Sequence, residues 1–293
     1  VVLPTGEVTT LGSKASKTSA GYNLMDLIVG SEGTLGIVTR ATIQLAGRPE
    51  QIRGGRAIFD NIDDAASAVT DAVQSGVDVA KIELIDRFSA EVSNDFLDTD
   101  LPNAPMVFVE FHANHGIARE VDFCRAVFND HSVESFEVSD TDDGMRDLWE
   151  ARRELAEAFE PYDRNLSPLT PGDITVPISK YPDIINYAKQ LAEEYDLPVA
   201  TFGHAGDGNV HYFVMVDPDD PESVKVGETV SKRLVERTIE LGGTSTGEHG
   251  IGTGKQEYLV EEHDEAAIGA MRSVKDALDP NGILNPGKIF SQD

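Results

Sequence analysis

Apolar and polar positions change period several times along the chain, and each change predicts an element. Val29–Thr39 alternates around three glycines and reads as strand, glycine loop and a second strand or turn; Ala41–Leu45 continues as strand. Ala46–Glu50 breaks the pattern and predicts a domain boundary. Beyond it, Arg56–Phe59 reads as strand, Asn61–Gln74 as a helix opened by Asp63 and Asp64 and closed by Gly76, and Ala80–Ile85 and Met106–Phe111 as strands. A helix over Ile117–Asn129 and a strand over Ser135–Val138 complete a strand–helix–strand–strand–helix–strand series, a ferredoxin-like layout on an antiparallel sheet. The fold class expected is therefore α+β.

The second half predicts a long helix over 142–159, a short strand at Ile174–Pro177 and a helix over Tyr181–Tyr195 opened by Pro182 and Asp183. Val199–Val216 reads as strand, glycine loop, strand. Glu222–Leu241 has the period of an amphipathic helix, Gly242–Gly254 is a glycine-rich loop, Glu265–Leu278 is a last helix, and turns fill the tail from Asp279 to Phe290.

Charge narrows the partners. The 293 residues carry 52 Asp and Glu against 24 Lys and Arg, a formal net charge of −28. Such a surface repels phosphate, so nucleic acid is excluded as a partner. The acidity is spread along the whole chain, as expected of a protein adapted to high salt, where ions screen self-repulsion. The apolar fraction, 40%, is too high for a disordered acidic tail. No apolar run approaches the roughly 20 residues of a membrane helix. The single cysteine, Cys124, rules out an internal disulfide and reads as a buried helix residue; a cytoplasmic location is expected. The abrupt opening, Val1-Val2-Leu3-Pro4, without a basic start or initiator Met, suggests that the natural protein continues upstream.

Familiar phosphate loops fail. Around Gly254-Lys255 the positions that a Walker loop reserves for Gly and for Ser or Thr hold His249 and Gln256, and the spacing of Gly30, Gly33 and Gly36 departs from the dinucleotide fingerprint. The strongest candidate for chemistry is Gly203-His204-Ala205-Gly206-Asp207-Gly208-Asn209-Val210-His211. Two histidines flank a tight turn, so paired flanking strands would bring the imidazoles together. A carboxylate would complete a two-His, one-carboxylate metal set with open positions, and Glu248, between Gly247 and His249, is its natural source. A hydrogen-bonded histidine pair at a hairpin is the plainer alternative. Arg152 and Arg153 sit on the predicted helix; an exposed arginine pair is the ordinary reading, a carboxylate-binding fork the sharper one.

Read together, Val29–Thr39, the Gly203–His211 loop, Gly247-Glu248-His249-Gly250 and Asp279–Lys288 resemble the FAD-linked D-2-hydroxyacid dehydrogenase family. The resemblance implies the C-terminal part of a vanillyl-alcohol-oxidase-type FAD-binding domain (residues 1–48), a ferredoxin-like cap domain carrying substrate and metal (49–270), and a C-terminal segment returning to the flavin (271–293). It implies FAD-dependent oxidation of a small D-2-hydroxy acid, D-lactate or glycolate, to the 2-oxo acid. Glu32, Gly33, Thr34, Leu35, Gly36, Ile37 and Val38 would lie against FAD through the backbone, with Asn285 near the ring. His204, His211 and Glu248 would hold Zn, Mn or Fe; His249 would take the hydroxyl proton; Arg152 would pair with the substrate carboxylate. Phe213 and Pro171 stand where the hydroxyglutarate members carry Asn and Lys, which favours a small substrate. The electron acceptor implied is a quinone, a cytochrome or an iron–sulfur subunit, with peripheral membrane association through that partner; a homodimer is left open. Two other readings stand beside this one: a non-catalytic subunit needing a partner chain for flavin, and a flavin-dependent transferase of the ether-lipid type.

Overall fold

The computed structural model describes residues 1–97, 100–141, 144, 149, 152–163 and 165–291. They form two compact units: residues 1–46 with 248–293, and residues 47–247.

The second unit is built on one antiparallel sheet. Its first half runs β1 (Gln51–Phe59), α2 (Ile62–Gln74), β2 (Lys81–Ile85), α3 (Arg87–Leu97), β3 (Met106–Ala113), α4 (Ile117–Asn129) and β4 (Val133–Ser139). Its second half adds a short helix α5 (Leu155–Ala158), β5 (Ser167–Pro168), β6 (Gly172–Thr175), α6 (Tyr181–Tyr195), β7 (Val199–Gly203), β8 (Asn209–Val216) and α7 (Pro221–Glu240). The strand order is β4-β1-β3-β2-β7-β8-β5, with β6 also paired to β8. The mixture of helices and antiparallel strands is the expected α+β class.

Local chemistry explains the helices. The Asn61 side chain accepts the Asp64 N–H at the start of α2, and Ala65, Ala68, Val69 and Ala72 form its buried stripe. Gly76, with φ +78, turns the chain out of it. Pro182 opens α6, whose Tyr181, Ile184, Ile185, Ala188 and Leu191 are buried, and Asp196 ends it in the left-handed region. On the sheet, period-2 alternation sends Ile58, Ile85, Met106, Phe108, Ala200, Phe202, Phe213 and Met215 into one apolar cluster with Leu155 and Phe159. Phe159 stacks on Phe202 with centroids 5.9 Å apart.

Cys124 lies in the buried stripe of α4, and burial pushes its thiol up to about 12. α3 is a helix that the sequence pattern does not announce. The helix expected over 142–159 falls partly outside the described residues; within them the chain bends at Glu154 before α5.

The first unit departs from expectation. It holds α1 (Leu24–Ile28), α8 (Gln256–Glu262) and α9 (Glu265–Leu278). No extended strand occurs in its described residues: Val29–Thr39 is a series of turns with one isolated bridge, Val2 to Ile37, and Ala41–Leu45 is irregular. Ile43 and Leu45 are 75% and 81% exposed, so their alternation has no packed face behind it. Lys275 on α9 ties this unit together, donating to Thr34 O, Leu284 O and the Asp279 carboxylate.

Candidate metal and active site

The two histidines singled out in the sequence lie beside the apolar cluster, where His211 contacts the Phe202 ring. β7 and β8 pair antiparallel with Phe202 opposite His211, and β6 pairs with β8 with Asp173 opposite His211. Gly203 and Gly208 let the connecting turn pass close to the sheet: a Cβ on Gly203 would meet the Asn209 carbonyl, and one on Gly208 the Val176 carbonyl. The turn thus returns His204 beside His211, with ring centroids 5.5 Å apart and nearly perpendicular planes.

Each imidazole faces a carboxylate through the same nitrogen. His204 Nδ1 lies 2.7 Å from Glu83 Oε1, and His211 Nδ1 lies 3.8 Å from Asp173 Oδ1. Glu83 belongs to β2 and its side chain is 10% exposed; Asp173 is fully buried. Asp173 also accepts from Asn209 Nδ2 at 2.7 Å and from Thr246 Oγ1 at 3.1 Å. At His204 the hydrogen-bonded carboxylate holds the proton on Nδ1 and makes Nε2 the lone-pair nitrogen, the tautomer that suits a metal ligand; the 3.8 Å approach at His211 is longer than a hydrogen bond.

Arg152 joins the same group. Its Nε and Nη2 donate to Glu83 Oε2 at 3.0 and 2.8 Å, and its guanidinium carbon lies 5.3 Å from the Phe202 ring centroid. The Nη1 edge of the fork remains a donor pair of the geometry that carboxylates accept. The Tyr181 hydroxyl is buried with no hydrogen-bond partner among the described residues; burial, then the charge of Glu83, pushes its phenol up, so it stays neutral. A cavity of about 420 Å³ lies alongside, lined by Val73, Val77, Lys81, Glu83, His204 and Asp207 among others.

Glu248 and His249 begin the second segment of the other unit. Gly247, the last residue of the sheet unit, is packed so closely on Asp173, Thr175 and Asn209 that a Cβ there would overlap their side chains. Within the first unit, Glu32 and Gly33 both have left-handed φ values, 52° and 70°. The Glu32 carboxylate accepts the N–H groups of Ile251 and Gly252, next to His249, and Asn285 Nδ2 donates to Glu32 O at 2.6 Å. A Cβ on Gly33 would lie 2.7 Å from Asn285 Nδ2, so only glycine lets that amide approach the turn. Thr34, Leu35 and Gly36 are buried, while Ile37 and Val38 are exposed.

Sequence reasoning missed Glu83, Asp173 and Tyr181. The two acids are isolated carboxylates among 52, and only strand register puts them behind the histidines. His112 and His131 pair instead with Glu110 and Asp71.

The family described as FAD linked oxidases, C-terminal domain, matches residues 48–289. A probable mitochondrial D-lactate dehydrogenase of Danio rerio is 36% identical over 285 residues, which cover 95% of this chain and 56% of that protein. The glycolate oxidase subunit GlcD of Bacillus subtilis is 36% identical, covering 100% of this chain and 62% of its own. The chain therefore spans little more than half the length of these curated relatives. Among solved structures, 4-ethylphenol oxidase from Gulosibacter chungangensis superposes with a TM-score of 0.72 at 19% identity, over 99% of this chain and 65% of its own. p-Cresol methylhydroxylase does so with 0.73 at 14%, over 100% and 65%. At those identities the likeness concerns the fold alone.

Proposed function

The chain belongs to the FAD linked oxidases by their C-terminal domain, and from that premise we propose that it serves the oxidation of a small D-2-hydroxy acid, D-lactate or glycolate, to the 2-oxo acid. The observation that carries the reading is the histidine pair whose Nδ1 atoms both face carboxylates that are buried or nearly so. His204, its proton held on Nδ1 by Glu83, would offer Nε2 to a cation, with His211 the second imidazole ligand and Glu248 the third. Zn, Mn and Fe all suit this donor set. When bound, the cation would draw electron density from the substrate hydroxyl and FAD would accept the hydride from the α-carbon.

The remaining tasks fall to side chains. Arg152 binds the substrate carboxylate through the Nη1 edge of its fork. The His249 imidazole takes the hydroxyl proton, a step suited to a base near neutral pH. Glu32–Val38 contact FAD through the backbone, and Asn285, anchored on Glu32 O, stands beside them. Phe213, packed in the apolar cluster, and Pro171 carry no polar side chain that could meet a second substrate carboxylate, which favours a monocarboxylate.

On this reading residues 1–48 are the end of a FAD-binding domain, 49–270 a cap domain and 271–293 a segment returning to the flavin. The order β4-β1-β3-β2 supports a ferredoxin-like first half of the cap. A separate electron acceptor takes the electrons onward; no helix among the described residues is long and apolar enough to cross a membrane.

Elemental analysis of the purified chain, with flavin bleaching after addition of FAD and a panel of D- and L-hydroxy acids, tests the proposal. Stoichiometric metal lost in His204→Ala, and bleaching by D-lactate or glycolate, are expected. Absence of both overturns it.

A further inference from the structure

Glu83 hydrogen-bonds both a cation-ligand candidate, His204, and the arginine proposed to bind the substrate carboxylate. Its Oε1 lies 2.7 Å from His204 Nδ1, and its Oε2 takes two donors from Arg152 at 2.8 and 3.0 Å. The sheet explains the position. Glu83 and Ile85 share the face of β2 that packs on the apolar cluster, β2 pairs with β7, and Leu84 stands opposite Gly203, the residue before His204. The side chain is 10% exposed, so neither oxygen can exchange its partner for bulk water without cost.

We infer that Glu83 is a positioning residue that sets the tautomer of His204 and the orientation of Arg152 together, so that the cation ligand and the substrate clamp are fixed by one carboxylate. The inference rests on the functional reading of His204 and Arg152 given above. Two acceptor oxygens are required. One keeps the proton on His204 Nδ1 and makes Nε2 the ligating atom; the other holds the Nε edge of Arg152 and turns the Nη1 edge outward.

A glutamine cannot do both. Its amide oxygen is drawn to the charged guanidinium, since the alternative sets NH2 against N–H donors. The amide NH2 then faces His204 Nδ1 and donates to it. The imidazole proton moves to Nε2, where it blocks ligation, although shape and packing are conserved. Aspartate keeps two acceptors on a shorter stem and should retain the native tautomer.

The test combines long-range 1H–15N correlation spectra of the histidine-labelled chain without added metal and calorimetric titration with zinc alone. His204 is assigned by its loss in His204→Asn. In the native chain His204 is expected as the Nδ1–H tautomer; in Glu83→Gln it should become Nε2–H, with zinc bound about 10- to 100-fold more weakly. Glu83→Asp should keep Nδ1–H. Glu110→Gln is the control. Glu110 is similarly enclosed, hydrogen-bonded to Lys81 and His112, and its change should alter neither readout. Nε2–H in the native chain overturns the inference with no variant needed, and so does an unchanged tautomer or zinc affinity in Glu83→Gln. If the native chain takes up no zinc, the metal reading falls, while the spectra still decide whether Glu83 sets the tautomer.

Discussion

The carboxylate of Glu32 accepts the backbone N–H of Ile251 at 2.7 Å, joining two segments of the first unit that lie 219 residues apart in sequence. The same group accepts from Gly252 at 2.8 Å. The resemblance assigns Glu32 only backbone contacts with FAD; its side chain does something further, pinning the loop that follows His249. Charge-assisted bonds of this kind are each worth about 1.5–3 kcal/mol, less where water competes. Glu32→Ala should therefore destabilise the first unit by roughly 2 kcal/mol and speed amide exchange at Ile251 and Gly252. Unchanged exchange at those two amides would show that the loop holds itself.

Asp279 gives the first unit a defined pH response. Its burial opposes ionisation, but the Lys275 ammonium and the N–H groups of Leu284 and Ile283 outweigh it and lower its pKa below the ordinary 3.8. A depressed carboxyl stabilises the fold above its unfolded value and loses that contribution as pH falls through its folded value. The stability gap between the native chain and Asp279→Asn should hold at neutral pH and close below about 3.8. Carboxyl 13C titration should put the Asp279 midpoint below 3.8; a midpoint at or above it refutes the account.

The parts of the fold legible in sequence are those where local chemistry and tertiary packing agree. Asn61, Gly76 and Pro182 mark real helix ends, and the mostly apolar runs at Ala57–Phe59, Ile82–Ile85 and Met106–Phe111 are real strands buried on both faces. Alternation fails at Ile43 and Leu45 because it reports side-chain period, not whether a neighbouring strand accepts the backbone bonds. α3 is hidden for the opposite reason: Ser89, Ser93 and Asn94 dilute its apolar stripe, yet both serines are buried. His204 and His211 stand out because glycines surround them. Glu83 and Asp173 do not, since pairing each with its histidine requires register across strands far apart in sequence.

Arg152 tests whether a charge suffices at its position. Two of its nitrogens are held by Glu83 and its plane lies over Phe202, demands that an ammonium cannot meet. Arg152→Lys should raise the KM for the hydroxy acid at least about tenfold, the loss of one charge-assisted hydrogen bond, with a smaller change in kcat. An unaltered KM would assign the substrate carboxylate to another group.

Cys124 should be inert in the native state. It is fully buried in α4, and although Arg125 favours the thiolate, burial dominates and raises the pKa to about 12. A thiol reagent at pH 8 should leave it unmodified until denaturant is added, then react once per chain. Fast native-state reaction would mean that α4 opens far more readily than its packing allows.

Salt should stabilise the chain, because its 52 acidic residues face only 24 basic ones and the excess is spread along the whole sequence. Folding concentrates that net charge of −28 into a small volume, so self-repulsion weighs more on the native state than on the expanded chain. Screening shortens from about 10 Å at 0.1 M to about 3 Å at 1 M, below the usual spacing of surface carboxylates. Attractive pairs such as Arg233 with Glu194 weaken as well, but 24 basic residues cannot offset 52 acidic ones, so the sign holds. Thermal unfolding in potassium chloride, which avoids the strong exclusion effect of sulfate, should show the midpoint rising between 0.1 and 1 M. A flat or falling midpoint would mean that the acidic surface is already neutralised by local pairing, and the expectation of salt adaptation would fall with it.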